Sequence, residues 1–205
     1  MMILKKYFCA AFFIFLGAAA VCGQLCGERP TLRSAPSKSK TLDGAEVMLF
    51  SYADGDSSFE LEYKDKLFDR RAENFCHKLS LEIGFYNKGD RIMPPQSVSL
   101  NFRSVSNSYK YALAAARRLK IVADGAVVYD AETERDADIV FPKKSYRESL
   151  IAEFVFATFE KFARRKNVTL FLGKTVFELT AKQLAALRQM SALVERRAGA
   201  KELFP

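Results

Sequence analysis

The stretch Phe75-Cys76-His77-Lys78-Leu79-Ser80-Leu81-Glu82-Ile83-Gly84-Phe85 alternates strictly. Its odd positions carry Phe75, His77, Leu79, Leu81, Ile83 and Phe85, and its even ones include Cys76, Lys78, Ser80 and Glu82. A period of two marks a strand that buries one face and shows the other to water. Sheets of such strands are antiparallel and one-sided, with a packed inner face and a solvated outer one.

Downstream, the turn residues Asn87-Lys88-Gly89-Asp90 and Pro94-Pro95 lead to a second strand through Val98, Leu100 and Phe102. Upstream, Asp54-Gly55 divides two alternating runs, and Asp-Gly favours a two-residue primed turn. That turn pairs Phe50 with Phe59 and Met48 with Leu61 on an apolar face, leaving Leu49, Glu60, Ser51 and Ser58 on the other. A second Asp-Gly pair, Asp124-Gly125, sets Val122 opposite Val127 and Ile121 opposite Val128. Ile139–Phe141 and Leu150–Phe156 read as further strands, and the acidic run Asp130–Asp138 reads as a solvated loop. Tyr109–Arg118 is ambiguous, since its alanines favour a helix while its apolar period is weak.

The last third is the most legible. Thr158 is expected to cap a short helix with Phe159, Phe162 and Ala163 inside. Gly173-Lys174 suits a type II′ turn that aligns Leu170 with Phe177 and Val168 with Leu179. Thr180 with Gln183 three residues on is a capping box, and Leu184, Leu187, Ser191 and Val194 follow at helical spacing, widened by Met190 and Leu193. The fold expected is α+β and β-rich: an antiparallel β-sandwich or partly closed barrel of about eight short strands, with two helices in the C-terminal third.

Lys5-Lys6 precede an apolar block from Phe8 to Val21 that ends in small residues, the order of a secretory signal. The block falls short of the roughly 20 residues that span a bilayer. Residues 1–23 are therefore expected to be a removed signal, 24–40 a flexible lead-in, 41–197 a single β-rich domain and 198–205 a C-terminal tail. The protein is expected to be exported, periplasmic or secreted, with no transmembrane helix after signal removal. Lipid anchoring at Cys22 fits poorly, because Ala19 and Val21 stand where lipoprotein signals carry Leu and a small residue. Cys9 and Cys22 leave with the signal, so Cys26 and Cys76 are the candidate disulfide in an oxidising compartment; two unlinked thiols are the alternative.

The formal net charge is +8, and an exported basic protein meets anionic envelope polymers or lipid headgroups before it meets nucleic acid. The helix end Lys161, Arg164, Arg165 and Lys166 is the candidate anion-binding surface. The single histidine, His77, leaves no His pair for zinc, and on a strand it faces away from the adjacent Cys76, so a cysteine–histidine nucleophile is not expected. Asp54-Gly55-Asp56 lacks the glycine and the terminal acid of a calcium loop. Gly173-Lys174-Thr175 lacks the earlier glycine and the following helix of a phosphate loop. Neither a metal nor another cofactor is called for. The phenylalanines fall on core-facing periods rather than between cations, so no stacking platform for nucleic acid is expected.

Three functions stay open on these grounds. The leading one is a non-catalytic module that binds a protein partner or an anionic envelope polymer. The second is a carrier of a small apolar ligand in a barrel cavity lined by the phenylalanines. The third is a hydrolase built on carboxylates among Asp130, Glu132, Glu134, Asp136 and Asp138, whose even spacing puts them on one side of an extended segment.

Overall fold

Leu79, Leu81, Ile83 and Phe85 are all buried, and the strand that carries them lies near the middle of the larger of two sheets. The computed structural model describes residues 35–72, 75–107, 113, 116–140 and 145–205. The expected signal and most of the lead-in lie outside the described residues. A seven-stranded antiparallel sheet contains β1 (Lys38–Leu42), β2 (Ala45–Ser51), β3 (Ser57–Ala72), β4 (Phe75–Lys88), β5 (Val98–Ser106), β8 (Glu134–Val140) and β9 (Ser145–Phe154). Their order across the sheet is β1-β2-β3-β4-β5-β9-β8. A four-stranded sheet of β6 (Arg118–Ala123), β7 (Ala126–Glu132), β10 (Val168–Leu172) and β11 (Thr175–Glu178) has the order β11-β10-β6-β7. Helices α1 (Phe156–Ala163), α2 (Ala181–Glu195) and α3 (Ala200–Leu203) complete the described elements.

The expected β-rich α+β class is what the chain adopts; among the described residues it forms two antiparallel sheets and no closed barrel. Strand number and length differ from expectation. Among the described residues eleven strands form, and β3 and β4 run for 16 and 14 residues, paired from Ser58–Lys88 to Ala72–Phe75 with a register shift between Lys66 and Phe68. The small sheet and the helices share one layer over the inner face of the large sheet. Phe102 of β5 stacks on Phe177 of β11 at 6.4 Å, and Phe154 of β9 meets Tyr129 of β7 at 5.3 Å. Beside them, Phe156, Phe159 and Phe162 of α1 pack edge to face against Phe85 and Phe154. Aromatic edges against faces satisfy the ring quadrupoles while removing large apolar areas from water.

Local turn chemistry explains which registers agree. Asp124 and Gly125 both have positive φ (47° and 84°), the requirement of a type I′ turn, and Val122 opposes Val127 as expected. A bulge beyond that pair sets Ile121 against Tyr129 instead of Val128. At Gly173 only the glycine is positive (φ 57°), as a type II′ turn needs, and Leu170 opposes Phe177. The Asp54-Gly55 hairpin is the correction. Asp54 keeps a negative-φ conformation, and its Oδ1 accepts a hydrogen bond from Asp56 N–H at 3.1 Å. The connection therefore spans Tyr52–Asp56, and the pairs are Leu49–Phe59 and Val47–Leu61. Slipping by one residue exchanges the faces of β2. Ala45, Val47 and Leu49 go inside, while Met48 and Phe50 lie half-buried on the other side.

Three further departures follow from tertiary contacts. The acidic run 130–138 is strand rather than loop, shared between β7 and β8. Helix α1 starts at Phe156 behind Val155, with no side-chain cap from Thr158, because β9 runs directly into it. Residues 198–205 are docked: Ala198 and Leu203 are buried, Ile92 N–H donates to Ala198 O, and Lys40 Nζ donates to Leu203 O. The capping box at Thr180 and Gln183 forms on both sides, and all six residues of the expected α2 stripe are buried.

Candidate functional site

Because β-strand side chains alternate, every residue sent into the core sends its neighbours to the open face of the seven-stranded sheet. The antiparallel register then lines those neighbours up across strands. Lys66, Ser80, Arg103, Ser149 and Asp136 form one row across β3, β4, β5, β9 and β8. The adjacent row holds Asp69, Lys78, Val105 and Arg147, and the row on the other side holds Lys64, Glu82, Asn101 and Ile151. Five cations, Lys64, Lys66, Lys78, Arg103 and Arg147, thus gather on four neighbouring strands.

Two depressions follow this line. A groove of about 500 Å³ is lined by Lys64, Asp65, Lys66, Lys78, Ser80 and Arg103, with Leu79 and Val105. A cleft of about 150 Å³ is lined by Asn101, Arg103, Asp136, Arg147, Glu148 and Ser149. Arg103 lines both and joins them. Glu82 organises the groove wall, with Lys64 Nζ at 2.5 Å, Arg103 at 3.8 Å and Asn101 Nδ2 donating to it at 3.4 Å. Lys66 meets Asp69 at 3.4 Å. The groove reaches Val105, which is buried on this outer side together with Cys76. Cys76 is disulfide-bonded; the other cysteines of the chain, Cys26 among them, lie outside the described residues.

The neighbouring His77 points the other way, as alternation requires. It is half-buried on the inner face, edge-on to Phe68 at 4.8 Å, with Nε2 in a 3.1 Å hydrogen bond to Ser104 Oγ. Burial, and then the positive charge of Arg70, hold its pKa below the usual histidine value, while Glu148 opposes them. Glu148 is buried in the same region and accepts from Arg135 at 2.9 Å and from Leu113 N–H at 3.1 Å. On the other flank of the core, Tyr63 donates to Asp65 Oδ2, which also accepts from Gln183 of α2. Burial and that carboxylate hold the Tyr63 phenol well above its ordinary pKa.

The basic helix end is assembled differently. Lys161, Arg164, Arg165 and Lys166 are all exposed at the end of α1, and Arg188 of α2 joins them. Arg164 contacts both Glu160 and Glu195, tying α1 to α2. Arg165 donates to Lys161 O and lies 4.0 Å from Asp124. Much of this charge is matched by carboxylates of the same surface. The acids of 130–138 are divided between the sheets: Asp130 and Glu132 sit on β7, and Glu134, Asp136 and Asp138 hold alternate positions of β8. Asp130 pairs with Arg118 at 2.6 Å, and this guanidinium holds its pKa below the usual carboxylate range. Among the described residues, no group of three or more His, Cys, Asp or Glu side chains is placed to hold a metal ion, and no helix is long and apolar enough to cross a membrane.

The transverse cation line was not foreseen from sequence. Its signal was present in the even positions Lys78, Ser80 and Glu82, but only the long-range register brings Lys66, Arg103 and Arg147 beside them. Comparison with known proteins finds no matching family model, no matching curated protein and no matching solved structure.

Proposed function

We propose that the protein is an exported, non-catalytic module that holds an anionic envelope polymer across the open face of its seven-stranded sheet. The observation that carries this reading is the line of five cations over β3, β4, β5 and β9, feeding two depressions joined at Arg103. A chain of repeating negative charges matches cations spread over four successive strands in three adjacent rows. Strands sit about 4.8 Å from their neighbours, so cations on successive strands fall within a Debye length at physiological salt. The signal-like N-terminus and the net charge of +8 agree with an anionic partner outside the cytoplasm. The core speaks for a filled interior rather than a carrier's cavity, since Phe59, Phe102, Phe159 and Phe162 are fully buried against other side chains.

The test is fluorescence anisotropy of labelled polyanions with the mature protein (from Gln24), from low salt to 1 M. Binding is expected to weaken steadily with salt, and Lys64→Gln with Lys78→Gln should weaken it further than Lys161→Gln with Lys166→Gln. If the two pairs of substitutions act alike, binding is diffuse and the groove is not the site. Capture of an envelope protein that survives 1 M salt and ignores all four substitutions would replace the polymer by a protein partner.

A further inference from the structure

The cleft between β5, β9 and β8 has a composition different from the groove beside it. Arg103 and Arg147 line it together with Asn101, Ser149 and two acids, Asp136 and Glu148, the latter already held by Arg135 and the Leu113 N–H. Two lining atoms are shielded from solvent and have no hydrogen-bond partner among the described residues: Arg147 Nε, a donor, and Asn101 Oδ1, an acceptor. The Asn101 amide is oriented by its own bond, because its Nδ2 already donates to Glu82 Oε2. The free position is therefore the acceptor. Buried polar atoms left unmatched cost stability, and they are commonly found where a ligand completes them.

A bare sulfate ion offers acceptors alone and would leave Asn101 Oδ1 unmatched. A group with a carboxylate and adjacent hydroxyls answers both needs: its carboxylate accepts from the arginine forks, and its hydroxyls donate to Asn101 and Asp136. The volume of about 150 Å³ equals that of about five waters, enough for part of one sugar unit rather than a large ligand. We propose that this cleft is the specificity subsite of the anionic face and takes the carboxylate and a neighbouring hydroxyl of one uronic acid unit in an acidic polysaccharide. The inference rests on the polymer-binding reading above and names the polymer's chemistry.

The experiment measures affinity for polygalacturonate (carboxylates and hydroxyls), dextran sulfate (sulfates and hydroxyls) and polyglutamate (carboxylates without hydroxyls) at one salt concentration. The wild type is compared with Arg147→Gln and Arg147→Lys, each checked for an unchanged melting temperature. Polygalacturonate should bind most tightly. Both variants should lose about tenfold on it, the scale of one charge-assisted hydrogen-bonded pair, and less than twofold on dextran sulfate. Arg147→Lys separates fork from charge: full rescue by lysine overturns the subsite. Equal losses on both polysaccharides overturn it as well, and polyglutamate binding as tightly as polygalacturonate overturns the sugar assignment. If no polyanion binds the wild type, the failure lies with the polymer-binding reading itself.

Discussion

Replacing Arg135 by Met tests the buried ion pair at the closed end of the core. The Glu148 carboxylate is 2% exposed and is held by Arg135 at 2.9 Å and the Leu113 N–H at 3.1 Å. Arg135→Met keeps much of the side-chain length but leaves the carboxylate with one neutral donor in a low-dielectric site. Removing one partner of a buried pair costs about 3–5 kcal/mol. Arg135 is itself 25% exposed, which places the expected loss near the low end, about 3 kcal/mol. With a urea m-value of about 2 kcal/mol/M, the midpoint should fall by roughly 1.5 M at pH 7. The paired replacement Arg135→Met with Glu148→Leu should cost less than Arg135→Met alone, because no buried charge remains. Urea melts of the three proteins at pH 7 measure all of this. A loss under 1 kcal/mol for Arg135→Met would refute the argument by showing that water reaches Glu148.

Thr180→Ala removes the acceptor for the Gln183 N–H and should destabilise by about 1 kcal/mol, with Thr180→Ser close to neutral in thermal melts. His77 should make folding acid-sensitive. Its folded pKa lies below the unfolded value near 6.5, so the unfolded state binds more protons and stability falls as pH drops through 6.5 toward the folded pKa. Chemical denaturation of wild type and His77→Gln from pH 7.5 to 5.5 should show that slope in the wild type alone. Non-reducing peptide mapping of exported protein should recover Cys76 joined to Cys26; a free Cys26 would show that the lead-in is not tied to the sheet.

Agreement between sequence and structure follows the range of the interactions involved. Gly173-Lys174 and Asp124-Gly125 were legible because the backbone of two residues sets the strand pairing next to them. The α2 stripe and its capping box were legible because helical contacts reach only three or four residues. Asp54-Gly55 misled because the same dipeptide also closes a five-residue loop. In its place the type I′ turn at Asp43-Gly44 (φ 48° and 91°) sets how β2 enters the sheet. The 198–205 segment gave no periodic signal, since its anchors are single contacts to Asp90, Ile92, Lys38 and Lys40.

By itself, then, the sequence determined the β-rich class, the burial of Leu79, Leu81, Ile83 and Phe85, the opposite facing of Cys76 and His77, and the basic balance of the chain. Those are properties of local period and composition. Tertiary structure alone decided that β5 and β9 lie side by side, that Arg103 and Arg147 flank one cleft, and that Glu148 is buried against Arg135. The reason is physical: alternation tells each strand which side faces water, but not which strand will lie beside it. The candidate binding face is written across strands, so only their register makes it a site.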